Sequence, residues 1–540
     1  MPEKIYLDDE FKKIWTLIEA GENIAFLRHG DGERAIMEGR SIKAQEGWES
    51  PGYVSQLGSA CLDALNLRDP RVWYGISCPC CDPAAYYWYI SRIAHRNITF
   101  ANLWVNSNYC TFIKAFENLE REAIVIANHR AQNKPIGKLN VLKYYPVGDD
   151  CISFWENDAP KLLQRIKSEY GMRDNLLYVV SAGPMSGPII AELFKNNPNN
   201  CYIDFGSSID TYIHNKITRP YMNKNSRYAK RQCWMYDPKT TNFDVTVVCN
   251  LYKRPDNLLK QLEAINNQTL KPKEILLYQD GISDNYKIDL LPSLKDKFDN
   301  VKIATENTGV WKRFEYAKSS ASSPLICIFD DDTIPGKRWL ENCYCCMQKQ
   351  EGVYGTIGIV MRYPVKYPFG GFLRVGWGGP NSKTIEVDFV GHSWFVKKEY
   401  LDYMFDGTEM YQSFKYAGED MCISAQCQKR GIKTFVPPHP YINHDLWGSL
   451  PEYAKVLGNS IQALYLDNKN FISMNNCMAL YLSNGWQAIV NTNKRYPYYI
   501  LYKIIEQQII GRYRALVLKV ERKIYSFIPK KSCIFDGKRL

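Results

Sequence analysis

The sequence predicts two consecutive α/β domains followed by a helical, basic tail. Three observations lead there. At 540 residues the chain is longer than one hydrophobic core organises. Short apolar runs alternate with helical patterns in two separate stretches. Between those stretches, residues 216–240 are polar, carry Arg219, Lys224, Arg227, Lys230 and Arg231, and show no apolar period.

The first domain is expected over residues 1–215. Phe11, Ile14, Trp15, Leu17 and Ile18 fall on one helical face, and residues 23–27 read as a buried strand. Residues 123–127 and 176–180 are further strands, with a helix over 186–194 after the second. Residues 216–240 read as a linker. The second domain is expected over 241–450. Its first strand, 244–249, leads to a helix opened by Pro255, with Leu258, Leu259, Leu262 and Ile265 as an inward stripe. Residues 274–278 form a second strand that delivers Asp280 and Gly281. Ligands of open α/β sheets sit at the carboxyl ends of strands, so this half-sheet reads as a nucleotide-binding unit. Residues 451–540 form the helical extension, where Tyr498, Ile500, Leu501, Ile504 and Ile505 are followed by Arg512, Arg514 and Lys519. Such a strip either packs on the preceding domain or lies on an anionic membrane surface.

Composition narrows the function classes. Hydrophobic residues at 45% and charged residues at 23% describe a globular chain. The 38 Tyr and 13 Trp suit sugar-stacking surfaces and equally a large core. The formal net charge is +11, yet no arginine-rich tail or nucleic-acid module is present. Small anionic phosphates or a membrane surface are therefore the expected partners, and nucleic acid is not. The 17 cysteines are scattered, which indicates a reducing compartment. Cys78, Cys80 and Cys81 form a tight group without a partner pair at zinc-binding spacing, so they read as a buried or incidental cluster. The polar N-terminus has no signal-peptide core, and no apolar run approaches the roughly 18 to 20 residues that span a bilayer. A cytoplasmic, at most membrane-peripheral, location is expected.

The strongest chemical signal is the strand 325–329, apolar throughout, which runs into Asp330, Asp331 and Asp332. Adjacent carboxylates at the end of a buried strand repel one another unless a positive charge compensates. Hard oxygen ligands suit Mg²⁺ or Mn²⁺ bridging a diphosphate. Alternation puts Asp330 and Asp332 on one side, Asp332 as direct metal ligand and Asp330 toward a ribose or a metal-bound water. Asp280 can accept a hydrogen bond from a base N–H, or can be an ordinary Asp-Gly turn.

The order of Asn250, Arg254 and Pro255, then Gln268 and Thr269, Asp280 and Gly281, Asn307 and Gly309, and Asp330 to Asp332 resembles the GT-A fold glycosyltransferases, most closely family 2. Downstream, Gly418, Glu419 and Asp420 look like that family's acidic acceptor-site motif. The segment from Val387 to Trp394 resembles the acceptor-binding segment before it. The resemblance covers residues 244–450 and implies a divalent cation that neutralises a departing nucleoside diphosphate. It implies Asp420 as the base, with Glu419 behind it. It further implies donor contacts from Asn250, Arg254, Asp280, Arg313 and Asp331, acceptor contacts from His392 and Trp394, and a further metal ligand in His444. The donors would be UDP-, GDP- or dTDP-sugars and the acceptor a glycan or glycolipid.

In the first domain, Arg28, His29, Gly30, Asp31, Gly32 and Glu33 follow the strand 23–27. The glycines permit a tight turn from which Asp31 and Glu33 are expected to project together onto a metal-diphosphate. Arg28, His29 and Gly30 also match the opening of the histidine phosphatases, but His95 and His129 lack the context of the second catalytic histidine. The stretch better resembles the GT-D glycosyltransferases, whose pattern also appears at Gly183 to Gly187 and at Cys201 to Gly206. That resemblance implies metal or diphosphate binding by Asp31 and Glu33, and phosphate contact near Gly183 and Ser186 at a helix N-terminus. Two fused transferases working in sequence on one glycan are the expected function. The alternatives are one transferase with a non-catalytic glycan-binding or scaffolding first half, and a phosphatase fused to a transferase.

Overall fold

The protein is described by a computed structural model. It describes residues 2–42, 48–94, 97–131, 134–214, 218–252, 254–281, 292–363, 367, 371–457 and 468–527. His95 and the end of the basic tail lie outside these. The chain divides into two compact units, residues 1–243 and 244–540.

The first unit holds Lys4–Tyr6 (β1), Ala25–His29 (β2), Val72–Ile76 (β3), Ile98–Phe100 (β4), Glu122–Asn128 (β5), Asn140–Val147 (β6), Leu177–Ser181 (β7), Cys201–Asp204 (β8) and Trp234–Tyr236 (β9). Seven of these form a parallel sheet in the order β4-β3-β2-β8-β7-β5-β6. Strands such as β3 and β8 are buried at every residue, the continuous apolar run that a sheet covered on both faces requires. β2 leads on to β3 on one side while β8 is reached from β7 on the other, so the strand order switches between β2 and β8. β2 begins at Ala25 and extends to His29, so Arg28 and His29 are strand residues and not part of a turn. Residues 216–240 are not a free linker. Their last part forms β9, which pairs antiparallel with β1 through Ile5 and Met235.

The second unit holds Val245–Leu251 (β10), Glu274–Gln279 (β11), Asn300–Ile303 (β12), Leu325–Phe329 (β13), Gly352–Met361 (β14), Phe372–Gly376 (β15), Ile385–Glu386 (β16), Phe389–Lys397 (β17) and Lys433–Val436 (β18). They form one nine-stranded sheet among the described residues, ordered β12-β11-β10-β13-β17-β14-β18-β16, with β15 on β14. The first four strands in that order are parallel, and β17 returns antiparallel against β13. Pro255–Asn266 is helical as expected; Leu258, Leu262 and Ile265 are buried, but Leu259 is half exposed.

Residues beyond 450 are not a separate appendage. Cys477, Met478, Tyr481, Trp486 and Ile500 belong to the core of the second unit. Tyr481 stacks on Tyr411 at 4.0 Å between ring centres. The last helix, Tyr496–Phe527, packs through Ile500 and Ile504, while Ile505, Ile509, Tyr513, Leu516 and Val520 are exposed. No helix of the described residues is long and apolar enough to cross a membrane.

Candidate active site

The second unit opens a cavity of about 450 Å³ at the carboxyl ends of β10, β11 and β13. Asn250, Arg254, Asp280, Arg313, Asp330 to Asp332, His392, Trp394, Glu419 and Asp420 all line it. Parallel β13 stops at Phe329, and the three aspartates follow directly, so register fixes where each points. Phe329 pairs with Ser393 of β17, which brings His392 alongside the turn; the Asp330 N–H donates to the His392 carbonyl at 3.0 Å. His392 has φ of +63°, and the indole of Trp377, itself at +56°, lies over its ring with 4.0 Å between centres. Strained backbone of this kind persists where surrounding structure holds a side chain in place.

The carboxylates diverge. Asp332 faces His392 Nδ1 at 3.0 Å, and Arg254 approaches the same carboxylate at 3.6 Å. Asp331 turns away to pair with Arg254 and to accept from the Tyr252 N–H at 3.3 Å. Asp330 meets the Arg313 guanidinium at 3.1 Å, and Arg313 reaches Glu419 at 3.0 Å. Arg313 is buried over the Trp394 ring, so it ties the aspartate turn to the helix Glu419–Gln428. Gly418 enters that helix with φ of +93°, and a Cβ there would meet Cys477 Sγ at 2.3 Å, so only glycine fits.

Six carboxylates thus line the cavity with three guanidiniums and one imidazole, and their protonation shows the imbalance. Burial pushes Glu419 up to about 8, helped by Asp420, and pushes Asp420 up to about 6. Asp330 is also raised by burial, against the pull of Arg313. Burial opposes ionisation of Asp332 too, but facing His392 and Arg254 holds it down at about 2. His392 is correspondingly raised, because Asp332 outweighs burial. Asp330, Asp332 and His392 bring one ligand atom each to within 4.8 Å of one another. Two carboxylate oxygens and an imidazole in a field of surplus negative charge form a donor set that fits a divalent cation.

Residues 246–401 match the family model for glycosyl transferase family 2. The chain is a glycosyltransferase. No curated protein matches it. Among solved structures it is similar to one titled as a highly conserved domain of unknown function 1792 with a distinct glycosyltransferase fold, at 13% identity and a TM-score of 0.31, over 40% of this chain and 82% of that one. It is also similar to TarS of S. aureus at 14% identity and a TM-score of 0.26, over 36% of this chain and 35% of that one.

Within the second unit, the structure places several of the expected residues differently. His392 stands with the aspartates and not with a separate acceptor surface. His444 lies in the turn His444–Leu446 against Trp447, outside both the cavity lining and the ligand cluster. Among the described residues, the histidine grouped with Asp330 and Asp332 is His392, on β17. Trp394 borders the cavity but is buried, with its indole N–H donated to the Val390 carbonyl at 3.0 Å. The Asp280 carboxylate accepts from the Thr308 N–H at 2.6 Å and the Gly309 N–H at 3.1 Å, so it shapes the loop at the cavity edge.

In the glycosyltransferase's first unit, Arg28, Asp204 and Gly206 come together at the carboxyl ends of β2 and β8. Asp204 is buried 3.8 Å from Arg28, and burial pushes its carboxyl up to about 7. Gly206, at φ of +48°, lets the Arg28 guanidinium lie where a side chain would stand. Asp31 and Glu33 do not project together. The helix Asp31–Met37 begins there; Asp31 is exposed, while buried Glu33 folds back to accept from the Gly30 N–H at 2.7 Å and so caps the helix N-terminus. Ser186 opens the helix Ser186–Asn196 after the Gly183 turn, and its hydroxyl accepts from the Ala182 N–H at 3.0 Å. His29 is buried between Tyr74 and Tyr89, and burial with Arg28 nearby holds it down at about 3.

Proposed function

We propose that the second unit transfers a glycosyl group from a UDP-, GDP- or dTDP-sugar to a hydroxyl of a glycan or glycolipid. The observation that carries this reading is the joint placement of the Asp330, Asp332 and His392 cluster and Asp420 in one cavity at the strand ends. Mn²⁺ or Mg²⁺ held by Asp330, Asp332 and His392 would offset the charge developing on the departing diphosphate. Arg254 pairs with Asp331 and approaches Asp332, presenting a cation at the same edge. Asn250 and Asp280 shape the donor end. Asp420, with its pKa near 6, is ionised at neutral pH yet basic enough to take the acceptor proton. Glu419, raised further, stays behind it as the partner of Arg313. Screening nucleotide sugars with the full chain, with and without EDTA, tests this: metal-dependent consumption of one donor supports it, and equal turnover in EDTA contradicts it.

The reading extends to the first unit as a second transferase of GT-D type, so that the product of one site is the acceptor of the other in polysaccharide or glycoconjugate synthesis. The switch of strand order between β2 and β8, with the Gly183 turn feeding a helix, supports diphosphate binding there. The buried, neutral His29 between two tyrosine rings disfavours a phosphohistidine enzyme. A second reading, a non-catalytic glycan-binding or scaffolding first unit, is favoured by the engagement of Glu33 in a cap. Replacing Asp31 and Glu33 together with Ala separates the two: loss of one sugar transfer indicates catalysis, and an unchanged full product indicates the scaffold.

The exposed apolar strip of the last helix, followed by Arg512, Arg514 and Lys519, supports peripheral contact with anionic membranes on the cytoplasmic side. Removing residues 512–540 leaves the Ile500 and Ile504 packing in place. Flotation with anionic vesicles should fall in that variant; unchanged flotation rules the contact out.

A further inference from the structure

The cysteine group that the sequence left without a partner acquires one in the fold. β3 ends at Ile76, and Cys78 to Cys81 form a turn in which the Cys81 N–H donates to the Cys78 carbonyl at 3.1 Å. Cys233 enters from the far end of the unit, just before β9. The Sγ atoms of Cys78 and Cys80 are 3.4 Å apart, those of Cys81 and Cys233 are 3.7 Å apart, and all four lie within 4.8 Å of one another.

We propose that Cys78, Cys80, Cys81 and Cys233 form a structural, tetrahedral zinc site. A Zn–S bond of about 2.3 Å places tetrahedral sulfur atoms about 3.8 Å apart, the spacing found here. A disulfide needs about 2.05 Å and would draw two sulfurs out of the group. Polynuclear iron–sulfur clusters hold their cysteine sulfurs farther apart, so a single ion is the fit. Four thiolates select a soft tetrahedral cation and leave no open position, which makes the site structural and not catalytic.

The surroundings are built for thiolate charge. Asn102 Nδ2 donates to Cys233 Sγ at 3.0 Å and reaches toward Cys78 Sγ at 3.9 Å; Asn106 Nδ2 donates to Cys233 Sγ at 3.5 Å. Asn106 is buried and holds a left-handed backbone at φ of +56° while doing so. Such outer donors orient ligands and stabilise the anionic site. The Leu7 N–H donates to the Cys233 carbonyl at 3.1 Å, beside the β1–β9 pairing. The ion would therefore clamp the closing strand of the first unit to the turn after β3, 152 residues away from Cys81.

The test uses the full chain carrying His392→Ala, so that the second unit's cluster contributes no zinc. Grown with zinc and purified without chelator, it should hold one zinc per chain by elemental analysis. Cys81→Ser with Cys233→Ser should remove that zinc, while Cys110→Ser, an exposed cysteine outside the group, should retain it. Should the double variant fail to fold, replacing zinc by Co²⁺ in the parent chain decides: intense d–d bands and thiolate-to-cobalt charge transfer are expected. Less than about a tenth of an equivalent of zinc, bound iron, or disulfides among these four cysteines in a freshly reduced preparation would overturn the site.

Discussion

Asp332 and His392 face each other at 3.0 Å, one directly beyond β13 and the other on its antiparallel neighbour β17. Neither belongs to a local motif with the other, and the pair exists only because the sheet reverses direction at that point. If both are ligands, His392→Ala should raise the Mn²⁺ concentration for half-maximal turnover by at least about tenfold, since even outer partners of ligands cost that much. Metal titration of donor consumption measures it. An unchanged requirement places the cation elsewhere.

Arg313 is sandwiched between Asp330 and Glu419, and its removal leaves buried carboxylates facing each other. Arg313→Ala should destabilise the second unit by about 3–5 kcal/mol at pH 8. Because burial already pushes Glu419 up to about 8, the loss should shrink at pH 5, where the carboxyl groups take up protons. Urea unfolding at the two pH values checks this.

Asp420→Asn should slow glycosyl transfer by about 10² to 10⁴ and leave donor affinity nearly intact, as expected for a lost general base. Calorimetry with the donor alone and steady-state turnover separate the two effects. Turnover that survives moves the role from Asp420 to another group.

The first unit should show its own pH dependence through Asp204. Its folded pKa is raised to about 7, so the folded state binds the extra proton and stability is lost as pH rises from about 4 through 7. Asp204→Asn cannot ionise. Its melting transition should therefore lose that decline, a difference of a few kcal/mol, at roughly 1.4 kcal/mol per pKa unit. Parallel pH profiles for the two proteins would show that Asp204 does not titrate in this range.

What could be read from the sequence follows the range of the interactions. β10, the helix from Pro255 and β13 with its three aspartates were legible because each is a continuous local pattern, buried apolar run or helical stripe. Leu259 broke the stripe because the helix turns it outward. That His392 stands beside Asp332 is not legible locally, because nothing in the sequence indicates which strand returns beside β13. His444 looked like a ligand by its position late in the chain, but its turn packs on Trp447. Glu33 looked paired with Asp31 from spacing alone, whereas its carboxylate serves the helix N-terminus. Residues 216–240 read as a linker from their basic composition, while Trp234–Tyr236 pairs with a strand at the opposite end of the unit. Cys233 is likewise invisible to spacing rules because its neighbours are 152 residues distant or more.

The most direct measurement is sugar transfer by full-length Asp332→Ala, with each donor supplied in Mn²⁺ and the products resolved by mass spectrometry. The account predicts that one transfer falls by about 10² to 10³ or more and is not restored by excess metal, while the fold and the other transfer persist. Undiminished transfer of both sugars by this variant would contradict it.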